Sequence, residues 1–362
     1  MFRRLLLITL LLSSTLFASA QTPAPPPADP DYTLHVYADR IQFAALILDD
    51  DANPVPNLDR QSILLSLDSG KPFHPTDVHP ESDDPIAMAV LFEDAGSQTK
   101  YLNEFTKQFA QLAPSLLLPQ DSLRLYAVDC GLAQTNATFS SPTTLQLEEA
   151  INNLRASHAL RPAGPHHNCN NSSPPLLGSM AIVAQWLGKQ HGRRVLLVVT
   201  QGDEDHSKPT WQQIKEYTST QGIAVFGYRD RWRYYANHFG ISRLIQNSPH
   251  PDAFATDEAS DNLLSIASGS GGVVMAAEPQ DAAKDIADTF RLLRARYIVS
   301  FPRPHHGFEG THSIAIESPR RDATTLRITG ATAPIIPQEQ LDDPHAVPSE
   351  DSPAIIGKRH PH

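Results

Sequence analysis

Cysteine is scarce in this chain, a basic surplus is missing, and beyond the first 20 residues there is no long apolar run. Two cysteines in 362 residues exclude a disulfide-dense scaffold and a cysteine-rich metal fold. Lys and Arg number 29 against 40 Asp and Glu, a net charge of −11. Such a chain has no cationic stripe to neutralise phosphates, which excludes non-specific nucleic-acid binding. Basic residues collect locally only at Arg229-Asp230-Arg231-Trp232-Arg233, a pattern that usually marks a solvated loop. No later segment approaches the roughly 20 apolar residues of a membrane-spanning helix, so no span is expected in the mature chain. What is present is a globular composition, 40% hydrophobic and 19% charged, long enough for a sizeable core.

The amino terminus reads as a targeting segment. Arg3 and Arg4 lead a short apolar core, Leu5–Leu12, and Ala18-Ser19-Ala20 fits a small-residue cleavage site before Gln21. Export to the periplasm or the cell exterior is the expectation, with cleavage between Ala20 and Gln21. In that compartment Cys130 and Cys169 read as a disulfide, worth roughly 3–4 kcal/mol through loop closure. Two buried free thiols are the alternative. The neighbouring His166 and His167 lack the spacing of a compact zinc site.

Hydrophobic periodicity divides the rest. Residues 21–31 are a proline-rich disordered spacer, and 32–80 show the period-two alternation of strands at Ile41, Phe43, Ala45 and Ile47, then at Ile63, Leu65 and Leu67. Residues 84–295 alternate strand and helix, which implies a mainly parallel sheet covered by helices. Strands are predicted at Ile86–Phe92, Leu123–Val128, Val195–Thr200, Ile223–Gly227 and Gly272–Met275. Helices are predicted near Lys100–Leu112, Thr144–Ala156, Leu176–Gln190, Thr210–Thr220, Ser260–Ser268 and Pro279–Arg294. Pro209 and Pro279 suit helix first turns. Tyr228–Asp257 reads as an aromatic-rich insertion. Residues 296–330 return to period two at Tyr297, Val299 and Phe301, and 331–362 are expected to be a disordered tail. The two flanking β segments are expected to share one small Ig-like sandwich, two separate appendages being the alternative.

The strand Ile86–Phe92 is apolar throughout and stops at Glu93-Asp94-Ala95-Gly96-Ser97. Polar residues placed there sit at the carboxyl edge of the sheet, where open α/β folds bind ligands. Together with Ala45–Pro72, Leu196–Asp205, Leu264–Val274 and Ile286–Pro302, taken in order, this stretch resembles the von Willebrand factor type A-related proteins abundant in acidobacteria. The resemblance implies a Rossmann-type, doubly wound sheet and a metal-ion-dependent adhesion site built from three loops. Its first loop follows Asp-x-Ser-x-Ser; here those positions fall on Glu93, Ala95 and Ser97. The second-loop threonine falls near Ser173 and the third-loop aspartate on Gln201.

Ala95 offers no oxygen, Gln201 is neutral, and Glu93 is one methylene longer than aspartate. Magnesium demands near-octahedral oxygen geometry, so the expectation is a degenerate site. Glu93, Ser97 and Ser173 are its remaining candidate ligands, Asp94 and Asp203 the candidate substitutes, and a weakly bound magnesium or calcium ion the only cofactor expected. The bridge between Cys130 and Cys169 would pin the Ser173 loop. No catalytic residues are identified: Ser268-Gly269-Ser270-Gly271-Gly272 lacks Gly-x-Ser-x-Gly spacing and leads into a strand, so it reads as close turn packing. The pairs His166-His167 and His305-His306 lack helical spacing. The expected function is an exported, non-enzymatic protein-binding module with Glu93, Asp94, Ser97, Ser173, Gln201 and Asp203 as the contact edge. A scaffolding protein acting through residues 228–257 and an unrecognised hydrolase are the alternatives.

Overall fold

The computed structural model describes residues 40–82, 84–94, 100–129, 131–159, 175–200, 209–230, 262–304 and 310–333. In chain order, β1 is Arg40–Leu48, β2 Leu64–Leu67, β3 Asp77–Pro80 and β4 Ile86–Glu93. Then follow α1 (Lys100–Leu116), β5 (Ser122–Val128), β6 (Leu132–Gln134), α2 (Thr144–Ala159) and α3 (Leu176–Leu187). Next come β7 (Arg193–Thr200), α4 (Trp211–Thr220), β8 (Ile223–Asp230), α5 (Asn262–Gly269), β9 (Val274–Ala277) and α6 (Ala282–Arg294). The last strands are β10 (Tyr297–Pro302), β11 (Gly310–His312), β12 (Ile314–Glu317), β13 (Thr325–Ile328) and β14 (Ala331–Ala333).

The central sheet has the order β6-β5-β4-β7-β8-β9. All its pairings are parallel except that of β5 with the edge strand β6. Strand β4 is buried along its whole length, because helices cover both faces of the sheet. Alternate residues feed two cores. Met88, Val90 and Phe92 pack with Phe105 and Phe109 of α1, Ile151 of α2 and Phe290 of α6. Ala87, Ala89 and Leu91 pack with Met180 and Val183 of α3, Ile214 of α4 and Ile266 of α5. The chain leaves β4 through α1 on the first face and leaves β7 through α4 on the second. The switch point of the sheet therefore lies between the carboxyl ends of β4 and β7.

The flanking strands pair with one another. Strand β10 lies between β1 and β3, and β13 pairs with the other side of β1, all antiparallel. Strand β12 pairs with β2, and Ile63, Leu65, Val299 and Phe301 share a third core between the two layers. Asp68 and Ser69, with φ of 48° and 60°, turn the chain after β2, and His312 Nδ1 lies 2.7 Å from the Asp68 carboxylate.

Several expectations shift. Strand β8 runs on to Asp230, so residues 228–230 belong to the sheet rather than to an insertion; residues 231–261 lie outside the described residues. Strand β9 starts at Val274 instead of Gly272, because Gly271 and Gly272 complete a tight turn. A Cβ on Gly272 would lie 2.0 Å from the Val225 carbonyl oxygen, and Gly271 has φ +80°. In the same turn the buried Ser270 hydroxyl accepts from the Val225 amide at 3.1 Å. Pro209 lies ahead of the first turn of α4 rather than in it, because Thr210 is the N-cap and forms a capping box with Gln213. Residues 331–333 pair as β14 with β11, within the stretch expected to be a tail. The leader and its Ala20–Gln21 junction, the spacer, and both cysteines lie outside the described residues.

Candidate functional site at the carboxyl edge of the sheet

Strand register builds this edge. Phe92 pairs with Val199, Glu93 with Val128, and Thr200 with Arg229, so the last residues of β4, β7 and β8 stand side by side. By the alternation of each strand, Glu93, Thr200 and Arg229 project to the second face, where α3, α4 and α5 pack. Glu93 is 1% exposed and Arg229 3%. The Thr200 hydroxyl donates to Glu93 Oε2 across the switch point. A buried carboxylate is costly unless hydrogen-bonded and near a positive charge, and this row supplies a donor and a guanidinium on one face.

Asp94 leaves the other way. Its amide donates to the Val128 carbonyl at 2.7 Å, and its carboxylate lies 3.4 Å from Arg155 Nε on α2. The two adjacent acids thus serve different faces. Of the predicted edge residues, only Glu93 and Asp94 are described; Ser97, Ser173, Gln201 and Asp203 lie outside the described residues. Among the described residues no three His, Cys, Asp or Glu side chains gather as a cage for a metal ion.

Behind the edge, on the first face, Tyr101 from the first turn of α1 lies near Tyr228, with ring centroids 6.2 Å apart. The Tyr228 hydroxyl donates to the Asp285 carbonyl on α6 and contacts the Thr289 hydroxyl. Burial pushes the Asp285 carboxyl up to about 7, helped by Asp281, Asp288 and Glu278 and opposed by Lys284. Its Oδ2 is buried with no hydrogen-bond partner. Burial likewise raises both tyrosines, with Tyr228 and Asp285 adding to the shift of Tyr101.

Thr200, Arg229 and Arg155 are site residues that sequence reasoning missed. Thr200 and Arg229 were visible as strand ends, but their adjacency to Glu93 depends on which strands pair, a non-local fact. Arg155 lies 61 positions from Asp94, and no local pattern links them.

The strand order, the helix layers and the switch point define a doubly wound, Rossmann-type α/β domain. No family model and no curated protein matches the chain. Among solved structures it is similar to an aerotolerance-related membrane protein from Bacteroides fragilis (14% identity, 57% of this chain and 98% of that one, TM-score 0.37). It is also similar to the conserved hypothetical protein BatB from Bacteroides thetaiotaomicron (10% identity, 58% and 98%, TM-score 0.37). A third is a von Willebrand factor type A protein from Catenulispora acidiphila (10% identity, 82% and 75%, TM-score 0.40). Among the described residues no helix is long and apolar enough to cross a membrane.

Proposed function

We propose that this protein is an exported, non-catalytic protein-binding module that engages its partner through the carboxyl edge of the sheet without a metal ion. The observation that carries this reading is the Glu93–Thr200 hydrogen bond at the switch point. An adhesion-type site needs its first-loop carboxylate turned toward the cation, with hydroxyl oxygens completing a near-octahedral shell. Here that carboxylate is buried against a threonine from the neighbouring strand, with Arg229 on the same face. The second acid, Asp94, is turned to the opposite face and paired with Arg155. These two pairings support the metal-free reading.

In this reading the contact residues are those the sequence assigns to this edge: Ser97, Ser173, Gln201 and Asp203. The test is capture of a partner from an envelope fraction by the immobilised protein, run in EDTA and in magnesium. Equal capture in both, lost on joint substitution of Ser97, Ser173 and Asp203 by alanine, is the expected result. Capture that requires magnesium refutes the metal-free reading; capture unaffected by the triple substitution refutes the choice of face. Export is checked separately by the amino terminus of protein recovered outside the cytoplasm, expected at Gln21.

A further inference from the structure

At the opposite end of the central sheet, an open cavity of about 700 Å³ lies between the amino ends of β4 and β7 and the outward face of the β1–β10 pair. Its size falls within the range of small-molecule sites, about 300–1,000 Å³. Five arginines line it: Arg40, Arg193, Arg194, Arg296 and Arg303. Among the described residues, only two carboxylates, Glu81 and Asp84, share the lining. In a protein of net charge −11 this is a local reversal of sign.

Part of this charge is structural. Arg296 Nε and Nη2 hold both oxygens of Glu81, at 2.7 and 3.0 Å. Arg193 donates to the carbonyls of Ser82, Asp84 and Leu293 and lies 3.6 Å from Glu81. Arg194 reaches the carbonyls of Gln190 and Gln221. Carbonyls satisfy hydrogen bonds but carry no net charge, so these bonds leave the charges of Arg193 and Arg194 in place. Moreover, Arg296 is 2% exposed and its Nη1 has no hydrogen-bond partner. A buried guanidinium nitrogen without an acceptor is a standing cost. Burial pulls the Arg193 guanidinium below its ordinary value; Glu81 opposes this, and Arg296 and Arg294 add to it.

We propose that this cavity is a binding site for a small organic polyanion carrying two or three carboxylate or phosphate groups. Guanidinium charge attracts both groups, and the surplus of arginine over carboxylate among the described lining residues matches the ligand charge. Gln42, Thr220 and Thr329 in the lining offer polar contacts to the rest of such a molecule. The site lies at the far end of the sheet from Glu93 and does not depend on the partner-binding reading.

The test is calorimetric titration of the purified protein with pyrophosphate and, separately, with citrate, at matched ionic strength. Saturable one-site binding of at least one of them is expected, weakening as salt rises. Selective binding of pyrophosphate assigns a phosphate-bearing ligand, and selective binding of citrate a carboxylate one. Arg40→Glu reverses an exposed rim charge without touching a packed group, and is expected to weaken binding about tenfold. Arg303→Gln, deeper in the wall, is run beside it, with the urea midpoint of each variant measured to confirm folding. Absence of saturable binding up to about 10 mM of either anion overturns the proposal, since so weak an interaction has no site-like free energy. Binding unchanged by Arg40→Glu overturns it equally.

Discussion

Replacing Asp285 by asparagine should stabilise the protein at neutral and alkaline pH and do little in acid. Asp285 sits on α6 with one carboxyl oxygen buried and without a hydrogen-bond partner, among Asp281, Asp288 and Glu278. Its folded-state value is raised from 3.8 to about 7, with burial the largest cause. Stability tied to the protonated carboxyl is therefore fully present below about 3.8 and is lost as pH rises through about 7. At about 1.4 kcal/mol per pH unit, that displacement corresponds to about 4 kcal/mol as a ceiling. The residue is only half-buried, and screening by solvent lowers the working figure to about 2 kcal/mol. Asparagine keeps the shape and never ionises, so its advantage should grow from pH 5 to pH 8. Urea unfolding of both proteins at those two pH values measures it. An equal difference at pH 5 and pH 8 would refute the assignment of a protonated, desolvated carboxyl at this position.

Two further outcomes follow from buried geometry. Glu81→Gln removes the carboxylate that both Arg296 and Arg193 face, so it should cost about 3–5 kcal/mol in urea unfolding, far more than a surface ion pair; a loss below 1 kcal/mol would show the pair to be dispensable. Gly272→Ala places a Cβ 2.0 Å from the Val225 carbonyl, against backbone that cannot rotate away. It should lower the urea midpoint well beyond the effect of an ordinary surface substitution, by about 2 kcal/mol or more, and wild-type stability would contradict the close approach of the two segments.

The layered fold was legible because burial leaves a dense signal. The run Ile86–Phe92 is apolar on both faces and could only be an inner strand, and the amphipathic stripe of Lys100–Leu116 matched the helix that covers it. Short strands were not legible: Leu132–Gln134 and Asp77–Pro80 are too brief and too polar to show a period, and exist because a neighbour pairs with them. The candidate edge was half legible. Glu93 and Asp94 announce a strand end in the sequence, yet their division between two faces depends on strand alternation at the last residue. The acceptance of the Thr200 hydroxyl by Glu93 spans 107 positions. The arginine cavity was hidden for the same reason, since its five cations come from three separate stretches of chain, at β1, at β7 and on either side of β10.

Calorimetric titration of the protein with magnesium, manganese and calcium tests the metal-free reading of the sheet edge most directly. With Glu93 held by Thr200 and Asp94 by Arg155, no stoichiometric heat is expected at millimolar magnesium or manganese. One-to-one binding that disappears in Ser97→Ala would restore a working adhesion-type metal site and contradict the account.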